Sequence, residues 1–200
     1  MRLFVALAVP GQVADELEAA VAPLRSSWPG LRWTGRDAWH LTLAFLGEVE
    51  EAIAAGLPAE LAGAAARHPP LALSLAGSGT FPGADRARVL WTGVQQEGLN
   101  KLAIAVANAA SAAKAPPVEA GEGAYDAGAP PVGGRKFQGH LTLARCRAPV
   151  DVRSLVADLA DYAGSPWMAE EIYLIRSRPQ ARPRYETLGR WPLRAPAPPA

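Results

Sequence analysis

Eight short stretches of the chain alternate apolar with polar or small residues, and four others repeat apolar residues every three or four positions. The first rhythm predicts half-buried β-strands and the second predicts amphipathic helices. The expected strands are Arg2–Val9, Leu31–Thr34, His40–Leu46, Leu71–Gly77, Arg88–Val94, His140–Arg145, Glu171–Ser177 and Arg184–Trp191, with side chains that suit a pleated surface. One helix is expected through Val13, Leu17, Val21 and Leu24, with Pro23 ending it early. A second carries Ile53, Leu57 and Leu61, broken or restarted at Gly56 and Pro58. The third runs through Leu99, Leu102, Val106 and Ala110. The fourth follows Asp151 as N-cap through Val152, Leu155, Val156 and Leu159.

The order reads twice as strand, helix, then strands. That is an α+β layout, with helices covering one face of mainly antiparallel sheets. Residues 114–139 are rich in Gly, Pro and Ala without a period, and are expected to form a long loop before His140. Residues 1–191 are expected to form a single domain, and 192–200 a flexible tail.

The 200 residues are 50% hydrophobic, enough for one sizeable core or two small lobes sharing an interface. A net charge of +1 argues against a broad basic surface that coats duplex nucleic acid, while leaving room for one nucleotide or one strand end. Charge is uneven along the chain. Up to position 130 there are 9 basic against 13 acidic residues, net −4, and beyond it 11 against 6, net +5, so an anionic ligand is expected to lean on the second half. The single cysteine, Cys146, rules out an intramolecular disulfide and a Cys-based zinc site. The apolar run at the start is too short to span a membrane. A reducing cytoplasm is the expected compartment, with no membrane partner.

His40-Leu41-Thr42-Leu43-Ala44 recurs as His140-Leu141-Thr142-Leu143-Ala144, 100 residues later. In a strand, side chains two apart share a face, so each His and Thr project together while the leucines project the other way. If the two strands met, two imidazoles and two hydroxyls would surround one small site. That set suits hydrolysis of a cyclic phosphodiester. One imidazole takes a proton from water, the other protonates the departing oxygen, and the hydroxyls donate to the non-bridging oxygens. No carboxylate–histidine cluster is present to bind a metal, so neither metal nor cofactor is expected. The paired motif cannot by itself rank the two imidazoles as acid and base.

At these residues the chain resembles the 2H phosphoesterase family, named for its two His-x-Thr/Ser-x motifs, and within it the LigT or ThpR-like RNA 2′,3′-cyclic phosphodiesterases. The similarity includes Arg2-Leu3-Phe4-Val5-Ala6-Leu7, Leu31-Arg32-Trp33, Phe45-Leu46-Gly47, Arg88 to Val94, and Phe137 leading to the second motif and Arg145. The resemblance implies a bilobal, pseudo-twofold α+β fold, with two sheets lining a central cleft and helices outside. It implies metal-independent hydrolysis of RNA 2′,3′-cyclic phosphate ends to 2′-phosphomonoesters, with 2′-5′ ligation as the reverse type of transfer in vitro. It also implies His40 as proton donor, His140 as proton acceptor, and Thr42, Thr142 and Arg145 at the phosphate.

Simple alternation puts Arg145 opposite His140, so it is expected where the strand ends or twists. Phe45 holds the corresponding place in the first motif and could stack a base, although core packing is the stronger expectation. Trp33 and Trp91 are expected in the core, and His68 at an exposed helix end. Arg176, Arg178, Arg182 and Arg184 could guide an RNA strand. Gly139 stands where family members usually carry proline, behind a longer loop, which bears on efficiency and substrate preference. Two rival readings are a non-catalytic module that binds RNA ends, and a phosphodiesterase for a small cyclic nucleotide such as ADP-ribose cyclic phosphate. A monomer suffices for each.

Overall fold

The computed structural model describes residues 1–95, 98–118 and 137–194. Among these, β1 (Arg2–Ala8), α1 (Gly11–Ser27), β2 (Arg32–Trp33), β3 (His40–Glu48), α2 (Glu51–Ala54), α3 (Leu57–Ala65), β4 (Leu71–Phe81) and β5 (Ala87–Gln95) make up the first part of the chain. Next come α4 (Leu99–Ala112), β6 (His140–Val150), α5 (Arg153–Asp158), β7 (Trp167–Ala169), β8 (Glu171–Ser177) and β9 (Tyr185–Pro192). Two single-turn 3₁₀ segments, Arg36–Ala38 and Ala84–Arg86, precede β3 and β5.

The strands form two antiparallel sheets of the expected α+β class. One has the order β3-β1-β8-β9 and the other β2-β6-β5-β4-β7. The chain trades strands between them. β2, from the first half, completes the second sheet beside β6, whereas β8 and β9 return to complete the first. β3 and β6 lie in different sheets yet come within packing distance of each other.

One continuous core joins the helices to both sheets. Leu3, Val5 and Leu7 of β1 and Leu41 and Leu43 of β3 pack in it with Leu17 and Val21 of α1, Leu61 of α3 and Leu102 of α4. Leu141 and Leu143 of β6 and Leu155 of α5 belong to the same core. The leucines of both motifs are therefore buried on the helix side, as alternation requires.

Some expectations need correction. α1 does not stop at Pro23. It runs through Ser27 and closes with the Trp28 amide on the Leu24 carbonyl, because one missing N–H costs a single bond after the buried face of Val13, Ala14, Leu17 and Val21 is already anchored. The second helix does break where Gly56 and Pro58 suggest, giving α2 and α3. Asp151 accepts the Arg153 amide at 3.1 Å, but the N-cap position falls on Val152. β7 escaped detection because three residues cannot display an alternation. The chain stays ordered past the expected boundary. Pro192 ends β9, Leu193 is buried at 4% exposure, and its amide donates to the Glu170 carbonyl at 2.7 Å. Most of the expected 114–139 loop, and residues 195–200, lie outside the described residues.

Leu41→Ala and Leu141→Ala each remove a fully packed side chain under a motif strand, and each should cost about 2–5 kcal/mol of unfolding free energy in urea denaturation. A loss below about 1 kcal/mol at either position would contradict this packing.

Candidate active site

Strand registers decide which side chains share the face opposite the helices. In the first sheet Ala8 pairs with His40, Ala6 with Thr42 and Phe4 with Phe45. Thr42 and Phe45 stand three positions apart, but their partners stand only two apart, so β3 carries a bulge at Leu43. The extra residue reverses the alternation, and Phe45 joins His40 and Thr42 on one face. The second sheet repeats the device. Gly93 pairs with His140, Trp91 with Thr142 and Val89 with Arg145, with the bulge at Leu143. Arg145 therefore shares the face of His140 and Thr142 through a mid-strand bulge, rather than through a strand end or twist.

Each imidazole is held in the same way. His140 Nδ1 lies 2.8 Å from the carbonyl of Gln138, two residues earlier. His40 bonds to the carbonyl of Ala38, also two residues earlier. A carbonyl only accepts, so Nδ1 of His140 carries the hydrogen, and in the neutral ring Nε2 keeps its lone pair. That Nε2 is buried without a protein partner among the described residues, and His140 as a whole is 6% exposed.

Aromatic rings close around both histidines. Phe4 lies 4.7 Å from the His40 ring, and Tyr185 meets it edge-on at 5.2 Å. Phe81 meets His140 edge-on at 5.0 Å, and Trp91 lies 6.0 Å away. Trp91 reaches this position because Gly79 lacks a side chain. A Cβ there would lie 2.3 Å from the indole. The sequence placed Trp91 in the core, but it stands on the site face beside His140. Trp33 does pack against the core, its indole N–H on the Trp28 carbonyl at 3.1 Å.

Burial lowers the His40 pKa to about 4, with Arg145 as the next cause, and Arg184 and His140 add to the shift against the Ala38 bond. Burial also lowers His140, the Gln138 bond opposes it, and Arg145 adds to the lowering. One guanidinium thus acts on both imidazoles, and each motif contributes to one electrostatic site.

Thr42, 5% exposed, and the half-buried Thr142 sit beside their histidines. Phe45 is on the site face but 5% exposed, packed with Phe4 and Ala6, and the Arg2 guanidinium lies over its ring at 5.1 Å. His68 is a half-buried helix-end residue bonded to the Ala64 carbonyl at 2.9 Å. Gly139 has a packing reason. A Cβ there would stand 2.6 Å from Leu99 Cδ2, and its carbonyl accepts the Val94 amide. Phe4, Phe81 and Tyr185 were not anticipated. Phe4 reads as one more apolar residue of an alternating strand, and only the register reveals its partner. Among the described residues, no group of three or more His, Cys, Asp or Glu is placed to hold a metal ion, and no helix is long and apolar enough to cross a membrane.

Two antiparallel sheets, each carrying a His-x-Thr strand and bringing it close to the other, are the arrangement that the resemblance to the 2H phosphoesterases implies. Comparison with known proteins makes the family specific. Residues 7–91, which include the first motif, match the LigT-like phosphoesterase family. An RNA 2′,3′-cyclic phosphodiesterase of Geobacillus stearothermophilus is 31% identical over 197 residues, 95% of this chain and 56% of that protein. One of Archaeoglobus fulgidus is 36% identical over 107 residues, 53% of this chain and 59% of that protein. The matched stretches thus span somewhat more than half the length of these curated relatives. The crystal structure of TT0787 of Thermus thermophilus superimposes with a TM-score of 0.71 at 27% identity, covering 98% of this chain and 99% of that one. Escherichia coli LigT complexed with ATP gives 0.65 at 26% identity, covering 96% and 98%. Residues 7–91 thus carry a LigT-like phosphoesterase domain, and nearly the whole chain shares the fold of the solved LigT and TT0787 structures.

In ligand-free protein, NMR titration should place the His40 pKa near 4 and that of His140 below the ordinary 6.5. A nearby positive charge disfavours the imidazolium, so Arg145→Ala should raise both values, and added inorganic phosphate should raise them too. Ordinary values for both rings, unmoved by Arg145→Ala, would contradict the shared site.

Proposed function

We propose that the protein hydrolyses the 2′,3′-cyclic phosphate at the end of an RNA to a 2′-phosphomonoester. His140 takes a proton from water as the water oxygen attacks phosphorus. The bond from phosphorus to O3′ breaks, and His40 delivers a proton to that oxygen, leaving a 3′-hydroxyl. Thr42 and Thr142 donate hydrogen bonds to the non-bridging oxygens, and Arg145 offsets their charge. The carrying observation is that Arg145, from the second motif strand, acts on the imidazoles of both motifs.

Both imidazoles bond to a carbonyl two residues earlier and both have a lowered pKa, so His140 is fit to act as base, and its choice over His40 follows the family resemblance. His40 must carry a proton in the productive complex although its resting pKa is about 4. The negative charge of the cyclic phosphate supplies the missing bias, offsetting Arg145 and raising the imidazole on binding. Substrate arrival thereby charges the acid. Phe45 serves as packing beneath Phe4 in this reading. A reducing cytoplasm suits a chain with one cysteine, and a monomer suffices because both motifs come from one chain.

A smaller substrate is the second reading. It is favoured by the solved complexes of Escherichia coli LigT with ATP, NADP+ and 3′-AMP.

Product analysis on an oligonucleotide ending in a 2′,3′-cyclic phosphate should give the 2′-phosphate, with a rate that survives EDTA. His40→Ala and His140→Ala should each lower turnover by about 10²–10⁴-fold. Full activity in both variants, or a 3′-phosphate as product, would overturn the mechanism.

A further inference from the structure

β8 and β9 are joined by a short basic hairpin beside the site, and its arginines are not equally engaged. Arg176 and Arg178 share a single carboxylate, Glu186 Oε2, at 3.9 and 3.4 Å. Arg182 and Arg184 are exposed and have no carboxylate partner among the described residues. Two of the four arginines thus share one carboxylate, and the other two face solvent. The hairpin is a built element: the Arg178 amide donates to the Arg184 carbonyl at 2.7 Å, and the Ala181 amide to the Arg178 carbonyl at 3.0 Å. An open hollow of about 410 Å³ is lined by Arg178, Pro179, Gln180 and Ala181.

Contact runs without a break from this hairpin to the catalytic face. The Arg184 guanidinium lies over the Tyr185 ring at 5.4 Å, and Tyr185 meets His40 at 5.2 Å and Phe4 at 5.6 Å, both edge-on. A group bound at His40 is therefore a neighbour of Tyr185, and Arg184 stands directly beyond.

We propose that the β8–β9 hairpin holds the phosphates of the RNA strand leading up to the cyclic end, so that the preferred substrate is a polynucleotide end rather than a mononucleotide. This rests on the hydrolase reading given above. The terminal nucleotide of a strand carries a further phosphate on its 5′ side, and the strand must leave the site in some direction. Unpaired guanidiniums next to an aromatic ring suit a single strand, since phosphates need countercharge and bases need flat apolar contacts. A mononucleoside cyclic phosphate has no second phosphate to offer them. The chain's surplus of positive charge beyond residue 130 has a natural location here.

The test compares kcat/KM for a short oligonucleotide ending in a 2′,3′-cyclic phosphate with that for the matching mononucleoside 2′,3′-cyclic phosphate, over a range of NaCl. The oligonucleotide should be preferred, and its kcat/KM should fall more steeply with salt, by about 0.7 in logarithmic slope for each extra phosphate held. Arg182→Ala should lower the oligonucleotide value by roughly threefold to tenfold and flatten its slope, and Arg178→Ala/Arg182→Ala should do so further. The mononucleotide should be hydrolysed as before by both variants. Equal kcat/KM and equal slopes for the two substrates would overturn the proposal, as would equal losses on both substrates in Arg182→Ala. Fluorescence anisotropy of the same oligonucleotide on His140→Ala, with and without Arg182→Ala, reads strand contact without turnover. If no substrate is hydrolysed by the wild type but binding still weakens with Arg182→Ala, the chemistry fails and the strand surface stands.

Discussion

The site depends on one extra residue in each motif strand. A regular strand turns alternate side chains to one face, so His, Thr and the residue five places after His could not all look the same way. The bulges at Leu43 and Leu143 remove that conflict. Each admits a third side chain to the site face while leaving the leucine on either side of the threonine in the core. A bulge also bends and twists its strand, which suits two strands from separate sheets that must approach each other at one place. The leucine-rich motif thereby performs two tasks. Its apolar positions anchor the strand in the core, and its polar positions face the candidate site.

The anchoring has an electrostatic consequence. Imidazoles enclosed by Phe4, Tyr185, Phe81 and Trp91 lose solvation that would favour the charged form, and Arg145 opposes that form further. Burial and Arg145 thus both favour the uncharged form of each ring in the absence of an anion. This is the protonation state a base requires and the opposite of what an acid requires. In the proposed mechanism a bound phosphate diester shifts that balance, because its negative charge would offset the positive charge of Arg145 at both imidazoles. In that mechanism the same arginine that lowers the imidazoles would attract the group that raises them.

The pair of motifs was legible because repetition at a distance is improbable by chance and because alternation gives each repeat a direction. The paired sheets, the helix faces and the leucine core follow from the same periodicities. What escaped the sequence depends on register. A bulge has no signature beyond one residue that breaks the alternation, so Arg145 could be assigned to the phosphate only by resemblance. Trp91 is as apolar as a core residue, and its place on the site face follows from Gly79 on the neighbouring strand, which leaves the space its indole fills. Tyr185 adjoins His40 although 145 positions separate them, a contact that arises only because β8 and β9 cross back to the first sheet. Pro23 shows the converse error, where a strong local signal gave way to packing already secured by α1.

The two halves are alike in geometry but unlike in content, and the difference bears on mechanism. After the equivalent bulges, one strand presents Phe45 and the other Arg145. Phe45 is buried under Phe4 with Arg2 across its ring, so the first strand gives the site an apolar floor. Arg145 gives the second strand its charge. A symmetric site would leave two imidazoles equally fit to accept or donate. Here one strand carries Arg145, the group proposed to hold the phosphate, and the other lies beside Tyr185 and Arg184 of the β8–β9 hairpin. In the proposed mechanism the phosphate would be drawn toward the strand with Arg145, and the rest of the ligand would extend toward the other. The repeated motif supplies the matched pair of imidazoles, and the difference at a single position after each bulge would give a substrate lying between them its direction.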